Sequence, residues 1–142
     1  MISPNAARKL EAATICGTPE YIAPEVILGK KYNQSVDYYG LGLLIFEMLS
    51  GYNPYKVQDF NGNTNMMFEM IVNEKIQFSF PKKNFTDSAK SICLALMSKN
   101  PHKRLGNGKS GINEIKKHAY FKGINWDKLE KREIVPPYLP TI

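Results

Sequence analysis

Apolar residues run almost without a break from Val36 to Leu49, and that density marks the centre of the chain. Val36, Tyr38, Tyr39, Leu41, Leu43, Leu44, Ile45, Phe46, Met48 and Leu49 leave almost no polar face. A helix over 35–50 with that pattern should be buried on every side and form the axis of a domain. Ser35 is placed to cap it with its hydroxyl, Asp37 suits its first turn, and Gly51 ends it before a turn at Asn53-Pro54. Around this axis the periodicity predicts smaller helices. One runs from Thr64 to Lys75 with Met67, Met70 and Ile71 on one face. Another runs from Thr86, a plausible cap, to Ser98, with Ala89, Ile92, Cys93, Leu96 and Met97 at helical spacing. Short helices are expected at Pro24–Gly29, Ile112–His118 and Asn125–Glu133. Ile76 to Phe80 alternates like a strand, but Pro81 stops it and no partner strand is in view. The expected class is all-α. Its parts are an N-terminal arm (1–13), a turn-rich segment (14–33), a helical core (34–133) and an extended tail (134–142) opened by Pro136-Pro137.

Composition narrows the picture without naming a function. The 142 residues suit one domain with a real core. Residues 1–62 hold 5 Lys+Arg and 6 Asp+Glu (−1), and residues 63–142 hold 14 and 7 (+7), giving the net +6. Such an excess is either a solvated basic face or an attraction for acidic partners. Few aromatics interleave with the cations, so nucleic-acid binding is not expected. The segment Leu41–Leu49 is too short to span a bilayer, which needs roughly 20 apolar residues. No charged and apolar leader pattern opens the chain. Cys16 and Cys93 have no metal spacing and form no disulfide framework, which favours a reducing, cytoplasmic setting and no bound metal.

Catalytic constellations are scarce. His102 and His118 lie far apart among lysines and read as solvent-exposed. Gly106-Asn107-Gly108 lacks the P-loop pattern and reads as a turn.

One segment carries far more information. Gly17-Thr18-Pro19-Glu20-Tyr21-Ile22-Ala23-Pro24-Glu25 resembles the end of a protein-kinase activation segment, with Ala23-Pro24-Glu25 as the A-P-E motif. Further matches keep the family's order: Asp37 at the head of the apolar helix, Gly51-Tyr52-Asn53-Pro54-Tyr55 after it, Asn100 to Gly106, His118 to Phe121, and Asn125-Trp126. The resemblance covers some nine-tenths of the chain and points to the AGC group of Ser/Thr kinases. Phe121 to Trp126 and Pro136 to Pro140 are similar to the cyclic-nucleotide-dependent branch, on the cGMP side. Tyr39 departs from the usual Trp, and Gly108 from the usual loop.

The resemblance implies a fold, the C-terminal helical subdomain of the kinase large lobe, and a set of roles. Thr14 would be the activation-loop phosphosite, with Arg8 and Lys9 as local partners; an unmodified loop Thr is the alternative. Ile15, Pro19 and Ile22 would line the pocket for the residue after the phosphoacceptor, and Thr18 would reach the catalytic residues. Glu20 and Glu47 would meet basic substrate residues, because Arg–carboxylate pairs are strong and directional. Glu47 supports this independently, as the one acid deep in the apolar helix, although pairing with an internal Lys or Arg would also account for it. Glu25 and Arg104 would form a buried ion pair. Asp37, which in the family holds the catalytic loop, would here only cap its own helix.

The family's chemical parts are not among these residues. The 142 residues hold no G-x-G-x-x-G, V-A-I-K or H-R-D-x-x-x-x-N motif, and no Asp precedes Asp37. The expectation is that the chain alone has no catalytic residues and binds no cofactor, whereas a full-length parent would use ATP and Mg2+. Without the elements that usually cover it, one side of the apolar helix should face water or a partner. Two readings follow: a part of an active kinase acting on basic-flanked Ser/Thr proteins or peptides, with a regulatory domain or subunit as a further partner; or a non-catalytic, kinase-like binding module using Glu20, Glu47 and the helix near Met66 to Val72. Neither involves nucleic acid or a membrane.

Overall fold

The computed structural model describes residues 19–56, 63–73 and 85–141, and among them every regular element is helical. The α-helices are α1 (Pro24–Ile27), α2 (Ser35–Ser50), α3 (Thr64–Asn73), α4 (Asp87–Leu96), α5 (Ile112–Lys116) and α6 (Trp126–Glu130), with 3-10 turns at Pro19–Tyr21, Pro101–Lys103 and Ala119–Phe121. The alternating segment 76–80 lies outside the described residues, as do the N-terminal arm and residues 14–18.

Helix α2 is the axis. Tyr39, Leu43 and Phe46 are fully buried, and α2 packs against α4 and the Pro19–Tyr21 turn. Its contact with α4 is close because Gly42 has no side chain. A Cβ there would meet Leu96 Cβ and Met97 Cγ at 2.8 Å. Facing it, Ala89, Ile92, Cys93 and Leu96 of α4 are all buried. Thr86 caps α4 as expected, its Oγ1 accepting from Ala89 N at 3.1 Å. Gly51 ends α2 with a left-handed φ of 83°, the conformation that favours glycine.

Two expectations for α2 need correction. Ser35 is its first residue rather than its cap. Asn33 Oδ1 accepts the Ser35 amide at 3.0 Å, and Ser35 itself is buried. Nor is α2 buried all round: Leu44 and Met48 are 46% and 76% exposed on one side, so the expected burial on every side fails, while the expected open face is present among the described residues.

Two buried aromatics complete the centre. Tyr39 and Tyr55 share a hydroxyl–hydroxyl hydrogen bond of 2.6 Å. Burial pushes both phenols up, Tyr55 to about 12, so each stays neutral and the pair behaves as a polar link inside an apolar core. At the other end, Trp126 donates Nε1–H to the Lys116 carbonyl at 3.1 Å, and Phe121 meets its ring edge-on at 5.3 Å. These contacts hold α6 against α5. Residues 134–141 are exposed.

Candidate functional site

The A-P-E segment is pinned from beneath. Pro24 opens α1, where a missing N–H costs nothing, and this turns the Glu25 side chain into the interior. Arg104 arrives from the Pro101–Lys103 turn, whose start is capped by Asn100 Oδ1 accepting the His102 amide at 3.0 Å. Arg104 Nη1 donates to Glu25 Oε1 at 2.6 Å and Nη2 to Oε2 at 2.8 Å. Two further N–H groups reach the Ser35 carbonyl at 2.9 Å and the Ser98 carbonyl at 3.0 Å, and its guanidinium carbon lies 5.1 Å from the Tyr39 ring centroid. Burial alone would raise the Glu25 carboxyl, but the Arg104 bonds and charge, with help from its own backbone amide, hold it below the usual carboxylate range. One side chain thus joins α1, the head of α2 and the end of α4.

A second cluster sits at the surface next to this support. Glu20, in the Pro19–Tyr21 turn, is only 5% exposed, and its Oε1 pairs with Lys56 Nζ at 2.5 Å. Burial pushes the Glu20 carboxyl up, yet the bond from Lys56, its own amide and the Lys56 charge carry it lower overall. Tyr21 donates its hydroxyl to Glu47 Oε2 on α2. That bond, then burial and the Glu47 charge, raise the phenol, so Tyr21 cannot serve as a base near neutrality. Asn53 lies beside the Tyr21 hydroxyl and is 2% exposed. Its Oδ1 accepts the Tyr55 amide at 2.9 Å, while its Nδ2 closes no hydrogen bond among the described residues. The outcome is two carboxylates, one phenol, one carboxamide and one lysine, gathered from three segments that meet at the head of the Pro19–Glu25 stretch. The arrangement suits capture of a cation with several N–H donors. It does not suit proton transfer, and no group of three metal-ligating side chains occurs among the described residues.

The structure brings Glu20 and Glu47 to one cluster and Glu25 and Arg104 to another. Pro19 and Ile22 stand at the edge of the core, joined by the Ile22 amide donating to the Pro19 carbonyl at 3.3 Å. Thr14, Ile15 and Thr18 lie outside the described residues. Asp37 is exposed, and its carboxylate makes no capping bond among the described residues, contrary to expectation; the backbone of α2 is capped from Asn33 instead. His118 is also corrected. It is half-buried, its Nδ1 accepts the Tyr120 amide at 3.1 Å, and its Nε2 lies 3.1 Å from Ser91 Oγ. Since Nδ1 accepts, Nε2 carries the proton and donates to Ser91, so the pair cannot activate that hydroxyl. The Gly106–Gly108 loop is no anion cradle, because Glu114 Oε2 already accepts the Gly106 amide at 3.1 Å. Cys93 is buried and its thiol pushed up to about 11, which excludes it as a nucleophile.

Sequence reasoning missed Lys56, Tyr21 and Asn53. Lys56 stood as one cation among many, and only the turn at Asn53-Pro54 swings it back to Glu20.

Residues 2–121 match the family described as protein kinase domain. The chain is 40% identical over 129 residues to the RAC serine/threonine-protein kinase of Drosophila melanogaster, covering 91% of this chain and 20% of that protein. It is equally similar, at 40% over 91% of its length, to the serine/threonine-protein kinase AtPK1/AtPK6 of Arabidopsis thaliana, 26% of which is covered. The serine/threonine-protein kinase gad8 of Schizosaccharomyces pombe is 38% identical over 97% of the chain and 23% of its own length. The chain therefore spans about a fifth to a quarter of the curated relatives it matches.

Proposed function

Because this chain belongs to the protein kinase family, in its AGC-type Ser/Thr branch, we propose that its surface cluster is the floor on which a basic-flanked Ser/Thr peptide is docked for phosphorylation. The fold is the helical, C-terminal part of the kinase large lobe. The transfer of the ATP γ-phosphate, with Mg2+, belongs in this proposal to a longer protein, since the 142 residues carry neither the phosphate-binding loop nor the catalytic Asp. Thr14 is its activation-loop phosphosite, the setting is cytoplasmic, and the tail motif Pro136 to Pro140 favours the cyclic-nucleotide-dependent branch.

The observation that carries the docking reading is the pairing of Glu20 and Glu47 beside the Pro19–Glu25 stretch, with Tyr21 bridging to Glu47. Carboxylates held in place by neighbours recognise a guanidinium through paired, charge-assisted bonds. The test is titration calorimetry of the chain with a Ser peptide bearing two Arg residues upstream, against the same peptide carrying citrulline. The Arg peptide should bind more tightly, and Glu47→Gln should remove most of the difference. Equal binding of both peptides overturns the reading.

A further inference from the structure

Lys56 pairs with a carboxylate far more buried than itself. Its Nζ lies 2.5 Å from Glu20 Oε1, yet its side chain is 64% exposed against 6% for Glu20. The carboxylate is therefore built in, while the ammonium reaches it from outside. An incoming cation approaches Glu20 from the side that Lys56 occupies. Lys56 is also close enough to feel the charge of Glu47.

We propose that Lys56 is an internal competitor for the basic residue of a docked peptide at the Glu20 subsite, lowering the affinity for Arg and Lys ligands alike, so that only a ligand gaining more than one ammonium–carboxylate contact binds well. The proposal rests on the docking reading above. Its physical basis is an exchange. A peptide Lys that displaces Lys56 replaces one ammonium–carboxylate contact with another of the same kind and gains little. A peptide Arg offers five N–H donors in a planar fork, engages both Glu20 oxygens, and so gains what Lys56 does not supply. Lys56 thus taxes every ligand equally, and only a guanidinium recovers the loss. The exposed stem of Lys56 makes displacement cheap, because the freed ammonium returns to water.

Peptide binding by the wild-type chain, Lys56→Met and Lys56→Arg tests this, using Ser peptides with Arg, Lys or citrulline at the upstream position. With Lys56→Met, both Arg and Lys peptides should bind about two- to five-fold more tightly, the range of one exposed ion pair, with the Arg/Lys ratio unchanged. Lys56→Arg should act in the opposite direction and weaken both, because the tethered fork holds Glu20 better. That sign reversal separates competition from a loss of folding. If Arg peptides bind the wild type and neither variant alters affinity, Lys56 only neutralises Glu20 and this proposal falls while docking stands. If no variant prefers Arg over citrulline, both fall together.

Discussion

Glu25 and Arg104, 79 positions apart in the chain, meet in a two-pronged ion pair with distances of 2.6 and 2.8 Å and almost no exposure on either side. Because Arg104 also holds the carbonyls of Ser35 and Ser98, every donor it spends lies in the interior. The pair is a structural support for the A-P-E segment, and the surface cluster above it depends on that support.

Removing one partner leaves a buried charge behind. Arg104→Met or Glu25→Gln should each cost about 3–5 kcal/mol in urea unfolding. The double change Glu25→Leu with Arg104→Met should cost clearly less than the two single losses added. Simple additivity would show that the two groups are not coupled.

Two glycines on α2 make a matched pair. Gly42→Ala drives a methyl into Leu96 and Met97 and should destabilise by about 1–3 kcal/mol. Gly40 has open space where its Cβ would stand, so Gly40→Ala should be neutral or stabilise by up to about 1 kcal/mol through helix propensity. Thermal unfolding of both variants decides the matter, and equal effects would mean that α2 and α4 do not approach as described.

His118 makes stability depend on pH. Burial lowers its pKa from the ordinary value of 6.5, and protonating Nδ1 would destroy the acceptor for the Tyr120 amide. The folded state therefore binds the proton less readily than the unfolded chain. The stabilisation is complete above about 6.5 and is lost as pH falls through the lower folded value. Urea midpoints between pH 7.5 and 5 should decline in the wild type and flatten in His118→Asn. Parallel curves would rule out His118 as the source.

Much of the fold can be read directly from pattern. Helix α2 matches its expected span residue for residue, because a dense apolar run closed by Gly51 leaves few alternatives. Helix α4 follows from Thr86 and a clean periodicity, while α5 and α6 are shorter than expected at their C-terminal ends, where fraying outweighs pattern; the expected end of α3 lies outside the described residues. Ser35 misled because Ser before an apolar run signals a cap, and tertiary contact instead drew it inward, its carbonyl accepting from Arg104. At the site, the carboxylates were visible as residue types, Glu47 by its apolar neighbours and Glu20 through resemblance. Their partners were not. Tyr21, Asn53 and Lys56 acquire meaning only when the segment after α2 folds back on the Pro19–Tyr21 turn. The Tyr39–Tyr55 hydroxyl bond was likewise invisible, since each residue alone passes for an ordinary core aromatic.

The long separation between Glu25 and its cation has a consequence for biosynthesis. At about 5–20 residues per second, the ribosome emits Arg104 roughly 4–16 s after Glu25. During that interval the A-P-E carboxylate has no interior partner, and the nascent segment is kept hydrated rather than locked. The A-P-E segment is thus among the last parts to consolidate, and a polypeptide truncated before residue 104 would have its keystone missing.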